Sequence, residues 1–159
     1  MSNGRATRLR APQPHPAEPF LRRTAFGTRR TRRVAIVEDE ELLRELFELV
    51  LTEVGYSVAI WAAGMPVLPF LRQALPDLLV LDLRLGELEG EAVLDELRRD
   101  PDFAGLPVLV CTGDHAAARR LEVSAASQGL AILLKPFGIA RFLDQVTRLT
   151  GSELLVSSR

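Results

Sequence analysis

The chain has 159 residues, of which 47% are hydrophobic and 26% are charged, and this composition suits one packed domain with some additional chain. Its one cysteine, Cys111, excludes an internal disulfide, and no apolar run reaches the roughly 18 residues that a membrane-spanning helix needs, so we expect a cytoplasmic protein. The net charge of −1 conceals an asymmetry: residues 1–33 hold nine arginines and one acidic residue (9 − 1 = +8), which leaves 11 basic and 20 acidic residues (11 − 20 = −9) for residues 34–159.

The basic segment at the start of the chain predicts a region without a packed core. Residues 1–31 combine arginines with four prolines and show little apolar periodicity, so we expect a disordered arm, with a short helical turn near Phe20–Arg23 as an option. The segment lacks the apolar stretch of a secretory signal, whereas an organelle transit peptide stays an alternative because the segment is rich in arginine. Such an arm could contact nucleic acid, an acidic partner or the protein's own acidic surface.

From Val34 onward, apolar strands alternate with helical patterns. In chain order we predict a strand 34–37, a helix with one apolar stripe (Leu43, Leu46, Phe47, Val50 and Val54) that ends at Gly55, and then strand 56–62, helix 65–74, strand 78–81, helix 91–99, strand 107–111, helix 116–127, strand 131–134 and helix 139–150. Strands that are apolar on both faces predict a parallel sheet covered by helices on each side. The sequence therefore predicts a doubly wound α/β fold with five strands and five helices.

Polar residues follow four of the five predicted strands. Glu38 and Asp39 come after the first strand, Asp82 after the third, Thr112 after the fourth and Lys135 after the fifth. In a doubly wound sheet, ligands bind beyond the carboxyl ends of the strands, where these residues would meet. This rule places the candidate site at that edge of the sheet.

The residue types at this edge indicate phosphoryl chemistry with a metal ion. Neighbouring carboxylates stay ionised together only when a cation lies among them, and oxygen ligands of this kind suit Mg²⁺. A metal ion and Lys135 together would balance the charge of a transferring phosphoryl group, and an aspartate can act as its nucleophile. Lys135 is the only lysine among 20 basic residues, which favours a position that needs a compact ammonium group.

Five sequence segments carry a resemblance to a known family: Val37–Glu40, Leu81–Leu85, Gly90, Val110–Gly113 and Leu134–Phe137. Their order and spacing resemble the receiver domain of bacterial two-component response regulators, of the stand-alone type. The resemblance implies a flavodoxin-like sheet with strand order 2-1-3-4-5. It implies a receiver domain over residues 32–150, between the arm of residues 1–31 and a short tail of residues 151–159.

The resemblance also implies a metal site and a phosphoacceptor. Asp82 matches the aspartate that becomes phosphorylated. Glu38, Asp39 and Asp82 match the carboxylates that hold Mg²⁺, and the backbone carbonyl of Arg84 matches a further metal contact. The family members catalyse their own phosphorylation and dephosphorylation without being conventional enzymes.

Other matching positions would contact the phosphoryl group. Lys135 matches the lysine that balances its charge, and the peptide bond before Pro136 matches one that is usually cis. Thr112 matches the hydroxyl that turns toward the phosphoryl group. The backbone N–H of Gly113 would contact the phosphoryl group as well, and so would Arg84.

The sequence departs from the family pattern at two positions. Gly86 stands where the family usually has proline, which predicts a looser loop after Asp82. Ile132 stands where an aromatic switch residue is expected, which places the usual coupling to Thr112 in question. We also expect Arg84 and Asp114 to form an ion pair over the site that hinders the approach of water.

The resemblance implies a single-domain receiver in a phosphorelay. It would accept a phosphoryl group from a histidine kinase or a histidine phosphotransfer protein and would signal by contact with a downstream protein. The nine residues after the last predicted helix are too few for a DNA-binding domain, so DNA binding and membrane insertion are not expected, and a homodimer stays open.

Two alternatives belong to other functional classes. The first is a receiver-like adaptor that binds partners without phosphorylation, which Gly86 and Ile132 favour. The second is a Mg²⁺-dependent phosphohydrolase with an aspartate nucleophile. Arg84 argues against it because haloacid-dehalogenase-like enzymes carry an acid two residues after the nucleophile.

Overall fold

The computed structural model describes residues 30–125 and 129–151. The elements in chain order are β1 (Arg33–Val37), α1 (Glu41–Glu53), β2 (Ser57–Ile60), α2 (Val67–Ala74), β3 (Leu78–Leu81), β4 (Arg84–Leu85), β5 (Leu88–Glu89), α3 (Gly90–Arg99), β6 (Val108–Thr112), α4 (His115–Ala125), β7 (Leu130–Leu134) and α5 (Ile139–Thr150). The predicted arm and tail lie almost entirely outside the described residues. Within the described part of the chain, no helix is long and apolar enough to cross a membrane.

Five of the strands form one parallel sheet in the order β2-β1-β3-β6-β7. The strands β4 and β5 pair only with each other, so this order is the predicted 2-1-3-4-5 arrangement. The order reverses at β1 and β3, which lie side by side. The predicted doubly wound fold is confirmed, and the reversal point marks where its ligand crevice opens.

The core lies on both faces of the sheet because side chains alternate along each strand. Val34 and Ile36 of β1 join a cluster with residues of α1 and α5, whereas Ala35 and Val37 join a cluster with residues of α2, α3 and α4. All four residues of β3, Leu78–Leu81, are buried. Burial on both faces explains why the central strands are almost entirely apolar in sequence.

The helix α1 differs from its predicted stripe at one position. Its fully buried residues are Phe47 and Leu51, whereas Leu46 is 38% exposed. At 100° per residue, Leu46 lies roughly 80° around the helix from the centre of the strip that faces the sheet. The prediction that Leu46 belongs to the buried stripe is therefore wrong, and Leu51 occupies the core.

A short antiparallel hairpin, which the sequence analysis did not predict, follows β3. The strands β4 and β5 pair Leu85 with Leu88 across a turn in which Gly86 has a φ of +65°. Proline is confined to a φ near −65°, so it could not occupy this position. The loop after Asp82 thus forms a defined turn that requires a residue such as glycine.

Gly90, the first residue of α3, lies unusually close to the segment that follows β3. A Cβ atom at this position would lie 2.5 Å from the backbone oxygen of Asp82 and 2.5 Å from Cα of Leu83. The N–H of Gly90 also donates a hydrogen bond to the carbonyl of Leu83 at 2.9 Å. Glycine is therefore required at the place where α3 meets the segment that follows β3.

Candidate functional site

Three carboxylates meet at the reversal point of the sheet. Glu38 and Asp39 follow β1, Asp82 follows β3, and the pairing of Val37 with Leu81 brings the two strands to the same level. One oxygen of each carboxylate lies within 4.8 Å of the others, and these residues are called the acidic cluster here. The predicted convergence of these side chains is present in the structure.

The side chain of Lys135, which follows the edge strand β7, reaches the acidic cluster. Its Nζ lies 2.7 Å from Oδ2 of Asp82 and 2.9 Å from Oε2 of Glu38. Two strand spacings, about 10 Å, separate β3 from β7, so only a long side chain directed along this edge can reach. The Lys135–Pro136 peptide bond is cis, as the resemblance implied, and the backbone N–H of Lys135 donates to the carbonyl of Thr112.

The lysine leaves the site short of positive charge. Three carboxylates and one ammonium group sum to −3 + 1 = −2, the charge that one divalent cation balances. Glu38 and Asp82 are buried, with 1% and 6% of their surfaces exposed, so water screens them little. The donor set consists of oxygens alone and fits a hard ion such as Mg²⁺.

The ionisation of Glu38 and Lys135 reflects this environment. Burial raises the pKa of Glu38, and the nearby charge of Asp82 raises it further, against the lowering effect of the hydrogen bond from Lys135. Burial by itself lowers the pKa of Lys135, but its hydrogen bonds to Asp82 and Glu38 outweigh this and raise the pKa overall. The ammonium form of Lys135 is thus held firmly, whereas Glu38 carries its charge at a cost.

The Asp82 carboxylate is held at both oxygens. The backbone N–H of Arg84 donates to Oδ1 at 3.0 Å, and the ammonium group of Lys135 donates to Oδ2. The carbonyl of Arg84 is the group that the family resemblance implied as a metal contact, whereas the N–H of Arg84 was not predicted as a partner of Asp82. Backbone groups have no residue-type signal, so only the geometry of the β3–β4 connection shows this contact.

Thr112 and Gly113 lie at the end of the neighbouring strand β6. Thr112 is fully buried, and its Oγ1 accepts a hydrogen bond from the backbone N–H of Asp114 at 3.0 Å. Asp114 in turn accepts from the backbone N–H groups of Ala116 and Ala117, in the first turn of α4. The pairing of Leu81 with Val110 places Thr112 one residue beyond the level of Asp82.

The predicted ion pair between Arg84 and Asp114 is present. Nη2 of Arg84 lies 3.6 Å from Oδ2 of Asp114, and the Arg84 side chain is 77% exposed. The hydrogen bond from the backbone of Ala117 is the main cause that lowers the pKa of Asp114, and Arg84 adds to it. This pair connects the segment after β3 to the start of α4 across the opening of the site.

Phe137, the residue after Pro136, belongs to a stack of three aromatic rings that was not predicted from the sequence. Phe137 stacks with Phe47 of α1 and with Phe142 of α5, each with ring centroids 6.2 Å apart. Phe47 and Phe142 stack at 4.3 Å. These contacts fix the segment that carries Lys135 against two helices. Ile132 of β7, by contrast, packs as an aliphatic side chain on the cluster beneath α4.

Comparisons with known proteins agree on one family. The sequence matches the family described as Response regulator receiver domain over residues 34–147. It is 31% identical over 123 residues to the Polar-differentiation response regulator DivK of Brucella ovis, and the match covers 76% of this chain and 98% of that protein.

Solved structures share the fold. Chemotaxis response regulator CheY4 of Vibrio cholerae superposes with a TM-score of 0.64 at 22% identity, covering 75% of this chain and 98% of that one. Response regulator protein TrrA of Thermotoga maritima, solved in complex with Mg²⁺-BeF, gives a TM-score of 0.62 at 24% identity, covering 75% and 99%. The match to the receiver profile, the relation to DivK and the order of the sheet lead to one conclusion: this chain belongs to the response regulator receiver family.

Proposed function

We propose that the protein accepts a phosphoryl group on Asp82 from a histidine kinase or a histidine phosphotransfer protein and signals through contact with a downstream protein. The observation that carries this proposal is the Asp82 carboxylate, which is held between the N–H of Arg84 and the ammonium group of Lys135 inside the acidic cluster. The arrangement presents a fixed oxygen nucleophile in a site that needs one more cation.

Mg²⁺ is the cation that the donor set fits. Glu38, Asp39 and Asp82 would hold it, with the backbone carbonyl of Arg84 as a further ligand. When bound, the ion would neutralise negative charge on the phosphoryl oxygens. The Mg²⁺-BeF complex of TrrA, which has the same fold, supports this choice.

Several residues of the chain have separate roles in the transfer of the phosphoryl group. An oxygen of Asp82 attacks the phosphorus, the phosphorus–nitrogen bond of the donor phosphohistidine breaks, and the bonding electrons return to the imidazole nitrogen. The ammonium group of Lys135 balances the negative charge that develops on the phosphorylated Asp82. The hydroxyl of Thr112 and the N–H of Gly113 lie on the neighbouring strand end and would bind the product oxygens.

The helix α1 offers a surface for the phosphoryl donor. Leu42, Leu46 and Leu49 are 75%, 38% and 60% exposed, and their spacing places them on one face of the helix. The helix starts two residues after Asp39, so the first turn of this face, which holds Leu42, follows the acidic cluster directly in the chain. An exposed leucine strip fits an apolar helical surface on a protein that carries the phosphohistidine.

The test is Mg²⁺-dependent phosphorylation with a small-molecule phosphoryl donor. We expect acetyl phosphate to add one phosphoryl group to the wild type, and to add none in the presence of a chelator or in the Asp82→Asn variant. Intact-mass spectrometry measures the adduct. Asp95→Asn, an exposed position on α3, serves as the matched control and should behave as wild type. A phosphorylated Asp82→Asn chain would refute the assignment.

A receiver-like adaptor that works without phosphorylation is the second candidate. It is favoured by Ile132, which fills the switch position with an aliphatic side chain that packs on the core. If this reading holds, partner binding is equal for wild type and Asp82→Asn in the presence of acetyl phosphate. A difference between the two in a binding assay decides for the phosphorylated form.

A further inference from the structure

A cavity of about 600 Å³ lies beside the acidic cluster. It is lined by the β2–α2 connection, the start of α2, the β4–β5 hairpin and α3, and its apolar walls include Trp61, Met65 and Leu88. Met65 and Leu88 are 41% and 37% exposed, which is unusual for side chains of this size that have a cavity beside them. The cavity can therefore receive an apolar group from outside the described part of the chain.

The charges around this cavity have one sign. The charged side chains among the described residues that line it are Asp39, Glu87 and Glu96, and all three are acidic. An apolar floor with a carboxylate rim selects an occupant that combines an apolar group with positive charge.

The chain enters the described structure at the opposite end of α2. Nη1 of Arg33 donates to the carbonyl of Ala74, the last residue of α2, at 2.7 Å, and Arg30 forms an ion pair with Asp77. The cavity touches the first residues of this helix, beginning with Val67. Eight residues of helix measure about 12 Å, so one helix length separates the point of entry from the cavity.

The residues before this point have the required chemistry. Residues 1–29 contain six arginines and one acidic residue (6 − 1 = +5), whereas the described residues contain 13 basic and 19 acidic residues (13 − 19 = −6). Within them, Phe20–Arg23 reads Phe-Leu-Arg-Arg, which places two apolar side chains next to two cations.

The length of chain distinguishes this segment from a nearer phenylalanine. Ten residues separate Phe20 from Arg30 and span up to about 33 Å, which allows the chain to pass along α2 with slack. Only four separate Phe26 from Arg30, and about 13 Å of extended chain barely matches the helix length.

We infer that residues 20–23 dock into this cavity of their own chain, with Phe20 against the apolar walls and with Arg22 and Arg23 against Glu87 and Glu96. The docked segment would cover the flank of Asp39 that faces the cavity. The inference does not depend on phosphorylation of Asp82, so either proposal can fail while the other stands.

Disulfide trapping in the full-length chain tests the docking. The pair Leu21→Cys and Met65→Cys, which keeps Phe20, should form an intramolecular disulfide under mild oxidation, read as a monomer with faster migration on a non-reducing gel. The native Cys111 does not interfere because it is fully buried, and burial raises the pKa of its thiol. The matched control replaces Leu21→Cys by Ala17→Cys, and Phe20 is kept in both chains.

The control separates specific docking from random tethering. A random chain predicts only about a 1.7-fold difference between tethers of 13 and 9 residues, whereas docking predicts a several-fold higher yield for Leu21→Cys. Equal yields, or no disulfide in either variant, would overturn the inference. A disulfide formed only between two chains would also overturn it and would assign the cavity to a second copy.

Charge reversal and thiol labelling give independent readings. Glu87→Lys with Glu96→Lys should reduce the trapping yield, whereas the exposed pair Glu45→Lys and Glu48→Lys on α1 should not. In a chain that carries Met65→Cys alone, replacing Phe20→Ala should speed labelling of the new thiol, and high salt should do the same. Labelling rates that respond to neither change contradict docking.

Discussion

The two ends of the central sheet each hold an aspartate bound by a cation, but their charge balances are opposite. At the amino ends of the strands, Asp77 accepts from the backbone N–H of Arg33 at 2.8 Å and from the guanidinium of Arg32, and it faces Arg30. At the carboxyl ends, the acidic cluster has three carboxylates, and the ammonium group of Lys135 binds two of them, Asp82 and Glu38. Cationic groups around Asp77 outweigh its negative charge, whereas the acidic cluster has more negative than positive charge.

The pKa values follow this difference. Burial tends to raise the pKa of Asp77, but the hydrogen bonds from Arg33 and Arg32 outweigh it and the pKa is lowered. Burial raises the pKa of Glu38, and its partners do not reverse the effect. A balanced aspartate stabilises the fold, whereas an unbalanced cluster retains a need for a cation that a ligand can meet.

The largest expected effect concerns the packing of the carboxyl end. Gly90→Val should destabilise the protein by about 3 kcal/mol, since its Cβ would meet the backbone of Asp82 and Leu83 at 2.5 Å. Urea unfolding measures the change. Gly105→Ala is the control, because nothing lies within 4 Å of a Cβ there. Equal stability of Gly90→Val and wild type would show that the contact is not tight.

Removing the single cation of the acidic cluster should have the next largest effect. In a chelator, Lys135→Met should lose about 2 kcal/mol of stability, because the buried carboxylates of Asp82 and Glu38 lose the ammonium group that balances their charge. Mg²⁺ should restore part of this loss, as read from thermal unfolding with and without the ion. Arg32→Met at the amino end should cost less, since Arg30 and the N–H of Arg33 remain. A Lys135→Met chain indifferent to Mg²⁺ would contradict the charge argument.

Neutralising one carboxylate at each end should change stability in opposite directions. Without metal, Glu38→Gln should raise the free energy of unfolding by about 1 kcal/mol because it relieves a crowded charge, whereas Asp77→Asn should lower it by about 1 kcal/mol because it weakens charge-assisted hydrogen bonds. Chemical unfolding of both variants in chelator tests the comparison. The same sign for both variants would end it.

The amino end also predicts a pH dependence. The folded pKa of Asp77 is below its ordinary value of 3.8, so the stability that this carboxylate contributes is present above that value and is lost as the pH falls through the folded pKa. Asp77→Asn should therefore differ from wild type at neutral pH and converge with it in strong acid. Parallel stability curves that never converge would count against this assignment.

The smallest expected effect on stability is at the opening of the site. Arg84→Ala removes an exposed ion pair with Asp114 and should change stability by less than about 0.5 kcal/mol. The same change should speed loss of the phosphoryl group, if the pair hinders water as proposed. Time courses of dephosphorylation measure this rate, and an unchanged rate would show that the Arg84–Asp114 pair does not hinder water.

The sequence predicted the sheet and the meeting of the charged side chains because both follow from residue-type patterns. Fully apolar runs such as Leu78–Leu81 favour buried strands of a parallel sheet, and the polar residues that follow such strands then lie at one edge. Lys135 was identifiable because it is the only lysine in a chain that otherwise uses arginine.

What the sequence did not show depends on backbone geometry. The strands β4 and β5 have two residues each, too few for a periodic signal, and the N–H of Arg84 binds Asp82 whatever side chain it carries. The exposure of Leu46 was missed because helix periodicity defines a strip but not the width that the sheet covers.

Because Gly90 packs closely against the backbone of Asp82, the chain between these two residues has a fixed span. Asp82 and the first residue of α3 lie at fixed positions relative to each other, and Leu83 and the β4–β5 hairpin span the distance between them. Apart from Gly86, whose φ of +65° requires a residue such as glycine, side chains at the tip of this hairpin can vary, but an inserted residue would have to bulge or push α3 away from Asp82. Natural variation along this span should therefore be found in its composition and not in its length.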